Sequence, residues 1–181
     1  MIALGANLPS QAGTPRQTLR AALSALQADD VQLCACSRFY RTPCFPAGAG
    51  PDYVNAAVSI VTTRDAQGLL AHLHSIEAGF GRARAQRWGM RTLDLDLLAL
   101  GDSVLPDAAT QAAWRDLAPQ QQQQRTPDRL ILPHPRLQDR GFVLIPLADI
   151  APDWRHPVTG RTVRQMCDAL EPAQTAGIAP I

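Results

Sequence analysis

Residues 92–100 read TLDLDLLAL, and the alternation in this run decides the fold. Side chains of an extended chain point alternately to opposite faces. Leu93, Leu95 and Leu97 therefore share one face, and Asp94 and Asp96 share the other. Gly101-Asp102 closes the strand. On its N-terminal side, Asp65 caps a helix in which Leu69, Leu70, Leu73, Ile76 and Phe80 form one apolar stripe. Before that helix lies a strand, residues 52–63, DYVNAAVSIVTT. Residues 31–41 alternate again, with Val31, Leu33 and Ala35 against Gln32, Cys34 and Cys36, and read as another strand.

Thr14-Pro15-Arg16-Gln17 combines a capping Thr, Pro at the first helical position and Gln at the capping-box position. It opens an amphipathic helix over 15–28, carrying Leu19, Ala22, Leu23 and Leu26 at helical spacing. Ile2, Ala3 and Leu4 form a first short strand that ends at Gly5-Ala6-Asn7. The order β-α-β-β-α-β predicts an α+β, ferredoxin-like sandwich: an antiparallel sheet flanked by helices in one domain. Residues 102–129 include the glutamine run Gln120 to Gln124 and read as a solvated excursion, with a helix around 112–117. Order resumes at LILPHPRLQDRGFVLIPLADIAPDW, followed by a last helix near 163–170.

The chain has 181 residues, 46% hydrophobic and 18% charged, which suits a single core. With 17 Lys+Arg against 16 Asp+Glu, the net charge of +1 argues against a dedicated nucleic-acid binder. No apolar run approaches the length needed to cross a bilayer. The opening MIALGANLPS carries no cationic leader, so a cytoplasmic location is expected. Cys34, Cys36, Cys44 and Cys167 make no metal-like spacing and are expected as reduced, buried thiols.

The chemistry concentrates between Glu77 and Leu100. Arg82, Arg84, Arg87 and Arg91 crowd into ten residues directly before Asp94 and Asp96. Two carboxylates on one face repel unless a cation neutralises them, and hard oxygen ligands at that spacing suit Mg²⁺ with phosphate oxygens and water. Clustered guanidiniums suit a polyphosphate. The competing reading pairs the two Asp residues with two arginines on a solvated edge, which leaves the other two without carboxylates. No GxxxxGK[ST] loop is present to hold phosphates.

A second cluster is Pro133-His134-Pro135-Arg136 with Arg140-Gly141-Phe142. His134 is read either as a ligand held stiffly between prolines or as a structural histidine. A third joins Tyr40-Arg41-Thr42-Pro43 to Tyr53-Val54-Asn55. Asn55 in an apolar strand either offers its amide to a heterocycle edge or is a plain surface residue.

YRTPC, PDYVNAAV, RWGMRTLDLDLL and LPHPRLQDRGFVLIPLADIAP, in that order, closely resemble the 6-hydroxymethyl-7,8-dihydropterin pyrophosphokinases of folate biosynthesis, and IALGANL is similar to their opening. The resemblance spans residues 1 to about 171 and implies a pyrophosphokinase domain over 1–171, with a Gln-rich surface insertion at about 107–128 and a C-terminal tail, 172–181. It implies transfer of a diphosphate from ATP to the pterin hydroxymethyl group, releasing AMP, with ATP as co-substrate. By position in the motifs, Asp94 and Asp96 would hold two Mg²⁺ ions. Arg82, Arg84, Arg91, His134 and Arg140 would bind ATP, with Glu77 and Trp88 on the nucleotide side. Arg82 and Arg91 would act catalytically beside the two Asp residues. Thr42, Pro43, Tyr53, Asn55, Trp88 and Phe142 would form the pterin slot. The expected partners are these two substrates alone, with no nucleic acid and no membrane, on a monomer.

The chain departs from the family pattern at Met90, where Pro or a small residue is usual, at Ala6, where Ser is usual, and in the longer segment 107–128. Two rival readings remain: a ferredoxin-like RNA-binding module, and another Mg²⁺-dependent transferase with a DxD. The first lacks the aromatic platform on its central strands that such modules use.

Overall fold

The computed structural model describes residues 1–44, 48, 50–81, 91–118, 121 and 124–181. The sheet is built from β1 (Ile2–Ala6), β2 (Val31–Cys36), β3 (Tyr40–Thr42), β4 (Tyr53–Thr62), β5 (Asp94–Leu97) and β6 (Ala179–Pro180). All pairings are antiparallel. β1 lies between β5 and β4, β4 carries both β2 and β3 on its other edge, and β6 extends β3 outward. With β2 and β3 taken as one broken strand, this is the ferredoxin-like order expected from the sequence.

Helices α1 (Pro15–Leu26) and α2 (Ala66–Gly79) cover one face. Thr14 and Gln17 form the expected capping box, and Asp65 accepts a hydrogen bond from the Gly68 amide at 2.7 Å. Ile2, Leu4, Ala56, Val58, Leu95 and Leu97 meet Leu19, Leu26, Leu69 and Leu73 in the larger core. The short helix α3 (Ala108–Arg115) lies in the segment read as an excursion. Its Gln111 is buried, and the amide donates to the Pro133 carbonyl at 3.1 Å. Helices α4 (Gly141–Ile150) and α5 (Val163–Asp168) cover part of the opposite face, where Val143, Leu144, Leu147, Val163 and Met166 pack on Ala57 and Leu98.

The run 31–41 is not one strand but two. The reason lies at Ser37, a buried residue between β2 and β3. Its amide donates to the Ala57 carbonyl at 2.9 Å, and its Oγ accepts from the Ala57 amide at 2.9 Å, in place of the backbone carbonyl a regular ladder would use. Asp149 of α4 then fixes β3: its carboxylate accepts from the Arg38 amide at 3.1 Å and from the Tyr40 hydroxyl at 2.9 Å. The cysteine expectation also needs correction. Cys34 and Cys36 are exposed and Cys44 and Cys167 half-buried; a register shift between Leu33 and Ala35 interrupts the regular alternation of β2, leaving Cys34 at the irregularity and Cys36 opposite Val58.

The last ten residues fold back on the domain. α6 (Pro172–Thr175) is followed by β6, and the Ile181 amide donates to the Phe39 carbonyl at 2.8 Å. A Cβ at Gly141 would stand 2.1 Å from the Gln174 carbonyl oxygen, so α4 can start against this segment only with glycine there. No helix among the described residues is long and apolar enough to cross a membrane.

Ser37→Ala strands the buried Ala57 amide while leaving the shape of the turn unchanged. Urea unfolding is expected to show a loss of about 1–3 kcal/mol; an unchanged midpoint would mean that the Ser37 hydroxyl does not hold the two strands to β4.

Candidate active site

Three registers set the site. Gly5 of β1 stands opposite Asp94 of β5 and Asn55 of β4, and Asn55 stands opposite Tyr40 of β3. Directly opposed residues share a face, so Asp94, Gly5, Asn55 and Tyr40 form one row across the sheet. The next row carries Asp96, Ala3 and Ala57. Ala57 lies under α4, Arg140 at the start of that helix stands 3.6 Å from Asp96, and Tyr40 at the far end of the Asp94 row bonds Asp149 near the helix's last turn. Two carboxylates thus sit on the same side as the residues expected around the pterin.

The central place of that row belongs to the glycine. A Cβ on Gly5 would meet the Asn55 side-chain oxygen at 2.8 Å, so the Asn55 amide leans over β1 into space that any other residue would fill. Its nitrogen donates to the Thr42 hydroxyl at 2.6 Å, and both residues are buried. Asn55 is therefore not the plain surface residue of one reading but a buried amide oriented by Thr42. Pro43 packs beside Gly177 of the C-terminal segment, and Tyr53 is half-buried. Burial and then Cys44 push the Tyr53 phenol up; Arg91 opposes this and Asp94 adds to it.

Asp94 bonds Arg91, and Asp96 lies 3.6 Å from the Arg140 guanidinium. Burial works against the charge on Arg91, but Asp94, then Asp96 and Tyr53, raise its pKa. The backbone of Arg91 is clamped as well. Its amide donates to Asn7 Oδ1 at 2.8 Å, and its carbonyl accepts from the Asn7 amide at 3.0 Å. The Asn7 side chain also donates to the Pro51 carbonyl at 3.2 Å, tying the β5 approach to the start of β4. Asn7 escaped the sequence reading, although a polar residue directly after an apolar strand that becomes almost fully buried is the signal that would have found it.

Glu77 is buried on α2, and its Oε1 accepts from the Leu95 amide at 2.7 Å, between the two aspartates. It therefore secures the outer edge of β5 from the core side. His134 follows β5 closely in space, its amide donating to the Leu98 carbonyl at 2.8 Å. Its Nδ1 accepts from the Arg136 amide at 3.0 Å, which leaves Nε2 as the protonated nitrogen of a neutral ring. Burial, then Arg140 and Arg136, lower its pKa to about 3, while Asp94 acts in the opposite direction. His134 thus stands uncharged at neutral pH among two guanidiniums and a carboxylate. Phe142, partly exposed, lies under the Arg140 guanidinium at 5.6 Å from ring centre to Cζ.

The structure brings together Asp94, Asp96, Arg91, His134, Arg140, Tyr53, Asn55, Thr42 and Phe142 at one end of the sheet. Arg82, Arg84 and Trp88, with Arg87 and Met90, lie outside the described residues. No group of three or more His, Cys, Asp and Glu side chains able to hold a metal occurs among the described residues. Two carboxylates on one open face are nonetheless the donor set that suits Mg²⁺ when phosphate oxygens and water complete its shell.

Comparison with known proteins gives the family. The family model for 7,8-dihydro-6-hydroxymethylpterin-pyrophosphokinase matches residues 1–152. The Synechocystis 2-amino-4-hydroxy-6-hydroxymethyldihydropteridine pyrophosphokinase is 35% identical over 99% of this chain and 80% of its own length. The Pseudomonas aeruginosa protein of the same name is 38% identical over 86% of this chain and 82% of its own. Among solved structures, wild-type Plasmodium falciparum HPPK-DHPS superposes with a TM-score of 0.62 at 15% identity, covering 92% of this chain and 43% of that longer one, and supports the fold. The chain belongs to the 7,8-dihydro-6-hydroxymethylpterin-pyrophosphokinase family, enzymes that move a diphosphate from ATP to the hydroxymethyl group of a dihydropterin in folate synthesis.

Proposed function

We propose that Asp94 and Asp96 are the metal platform of this transfer and that the row Asp94–Gly5–Asn55 is its floor. The observation that carries the proposal is the placement of both carboxylates on the face opposite Leu95 and Leu97, in register with a buried amide two strands away. Two Mg²⁺ ions held there would offset charge on the phosphates and lower the pKa of the acceptor hydroxyl.

The residues of the chain divide the remaining work. Asn55, fixed by Thr42, presents a donor and an acceptor to the edge of the pterin, while Tyr53, Pro43 and Phe142, with Trp88, supply flat apolar surface to its faces. Arg91 and Arg140 rest on Asp94 and Asp96 in the substrate-free chain. When the nucleotide arrives with its cations, the guanidiniums exchange carboxylate for phosphate, and each charge keeps a partner throughout. His134 adds a neutral donor to that cluster. The acceptor oxygen attacks the β-phosphorus, and the bond from that phosphorus to the oxygen bridging to the α-phosphorus breaks. AMP leaves with the electron pair, and the hydroxyl proton is given up to solvent or a carboxylate. Arg82 and Arg84 complete the nucleotide side by their places in the motifs, while Glu77, expected there too, is buried and supports β5 through the Leu95 amide. A monomer in the cytoplasm remains the simplest setting for the reaction.

Asp94→Asn and Asp96→Asn keep size and shape but remove the charge. Each is expected to lower kcat by at least about a hundredfold with the fold retained, as read by steady-state assay and circular dichroism; near-normal turnover in both variants would refute the metal platform.

Gly5→Ala places a methyl against the Asn55 side-chain oxygen. The expected outcome is a rise of about tenfold or more in the KM for the pterin, with the KM for ATP unchanged. If the pterin KM does not move, Asn55 is not reading the heterocycle.

A further inference from the structure

Arg136 has no part in the roles assigned above, yet its surroundings are those of a residue awaiting an anion. It lies in the turn between His134 and the 3-10 segment Leu137–Asp139, with its side chain 23% exposed. Its Nε is closed off from solvent and has no hydrogen-bond partner among the described residues. Asp139 Oδ2 stands 3.7 Å from that nitrogen, outside hydrogen-bond reach. The larger influences on it are unfavourable: burial and the Arg140 guanidinium both act against its charge, with Asp139 a weaker counterweight. His134 feels Arg140, Arg136 and Asp94 together, so Arg136 belongs to the cluster around the carboxylates. A shielded N–H with nothing to bond, beside a like charge, is unfavourable unless an oxyanion completes it.

We propose that Arg136 is a phosphate-binding residue of this active site, its guanidinium turning out of the position that leaves Nε–H unpartnered to grip the phosphate chain of the nucleotide together with Arg140. The proposal rests on the reading that the nucleotide's phosphates lie over Asp94 and Asp96. The backbone amide of Arg136 already has its own function, holding His134 Nδ1. A side-chain substitution therefore leaves the histidine's orientation intact and isolates the guanidinium. Pairing with Arg140 on one anion would also give the Arg136 guanidinium the acceptor that its Nε–H lacks.

The test measures binding of α,β-methylene-ATP with Mg²⁺ to the wild-type chain, to Arg136→Gln and to Arg136→Lys, together with steady-state KM values for ATP and for the pterin. Arg20→Gln, on the exposed side of α1, removes the same formal charge at a distance and serves as the control. Arg136→Gln is expected to weaken the analogue about tenfold or more and to raise the KM for ATP alike. Arg136→Lys should recover part of the loss, with the pterin KM and the Arg20→Gln control unchanged. Unchanged analogue binding in Arg136→Gln overturns the proposal. So does an equal rise in both KM values, which would make Arg136 a support of the turn. Failure of the wild-type chain itself to bind the analogue would instead bring down the underlying placement of the nucleotide, and this inference with it.

Discussion

The structure depends on the pairing of β5 with β1 in the register that puts Leu95 opposite Leu4 and Asp94 opposite Gly5. Leu93, Leu95 and Leu97 are buried beneath α1 and α2, and each buried leucine favours this register by about 1.5–3 kcal/mol. A slip of one residue would turn those leucines to the open face and drive Asp94 and Asp96 into the apolar core. Burying two unpaired carboxylates costs far more than the strand could recover. The hydrophobic core therefore aims the acidic pair. Glu77 strengthens the same choice from below by accepting the Leu95 amide at the outer edge of β5.

On the open face, charge is matched before any substrate arrives. Asp94 pairs with Arg91, one of the arginines that the competing reading of the sequence offered, whereas Asp96 pairs with Arg140, which lies outside that cluster. Pairing with arginine and service to a metal are compatible, because a partly exposed ion pair is worth little and gives way readily to a stronger partner. The rigid elements of the site are elsewhere. Asn7 clamps the Arg91 backbone, Ser37 and Asp149 hold β3 against β4 and α4, and Thr42 fixes Asn55. These contacts determine where the charged groups over β5 stand, while those groups can exchange partners.

The strand-helix order was legible because each element carries its own local code: the capping box at Thr14, the Asp65 cap, the two-residue alternation of 93–97. The same alternation exposed the shared face of Asp94 and Asp96. The break between β2 and β3 was not legible, since it arises from a side-chain oxygen of Ser37 replacing a ladder carbonyl, and serine in a strand-like run carries no such label. Nor was the burial of Asn7 and Gln111, whose partners lie 84 and 22 residues away along the chain. The thiols of Cys34 and Cys36 were misjudged for a related reason. Composition suggests buried cysteine, but Cys34 and Cys36 lie where the register of β2 shifts, an irregularity that no local pattern announces. The motif residues from Arg82 to Met90 were read from sequence and resemblance, and they lie outside the described residues.

The most direct test of the central claim is to locate the cations themselves. Crystals of the chain grown with α,β-methylene-ATP and Mn²⁺ in place of Mg²⁺ allow the ions to be found by anomalous scattering. The account predicts anomalous peaks about 2.1–2.2 Å from carboxylate oxygens of both Asp94 and Asp96 and from phosphate oxygens of the analogue, with Arg91 and Arg140 moved onto the nucleotide. Peaks bound elsewhere, with both aspartates still held by their arginines, would contradict it.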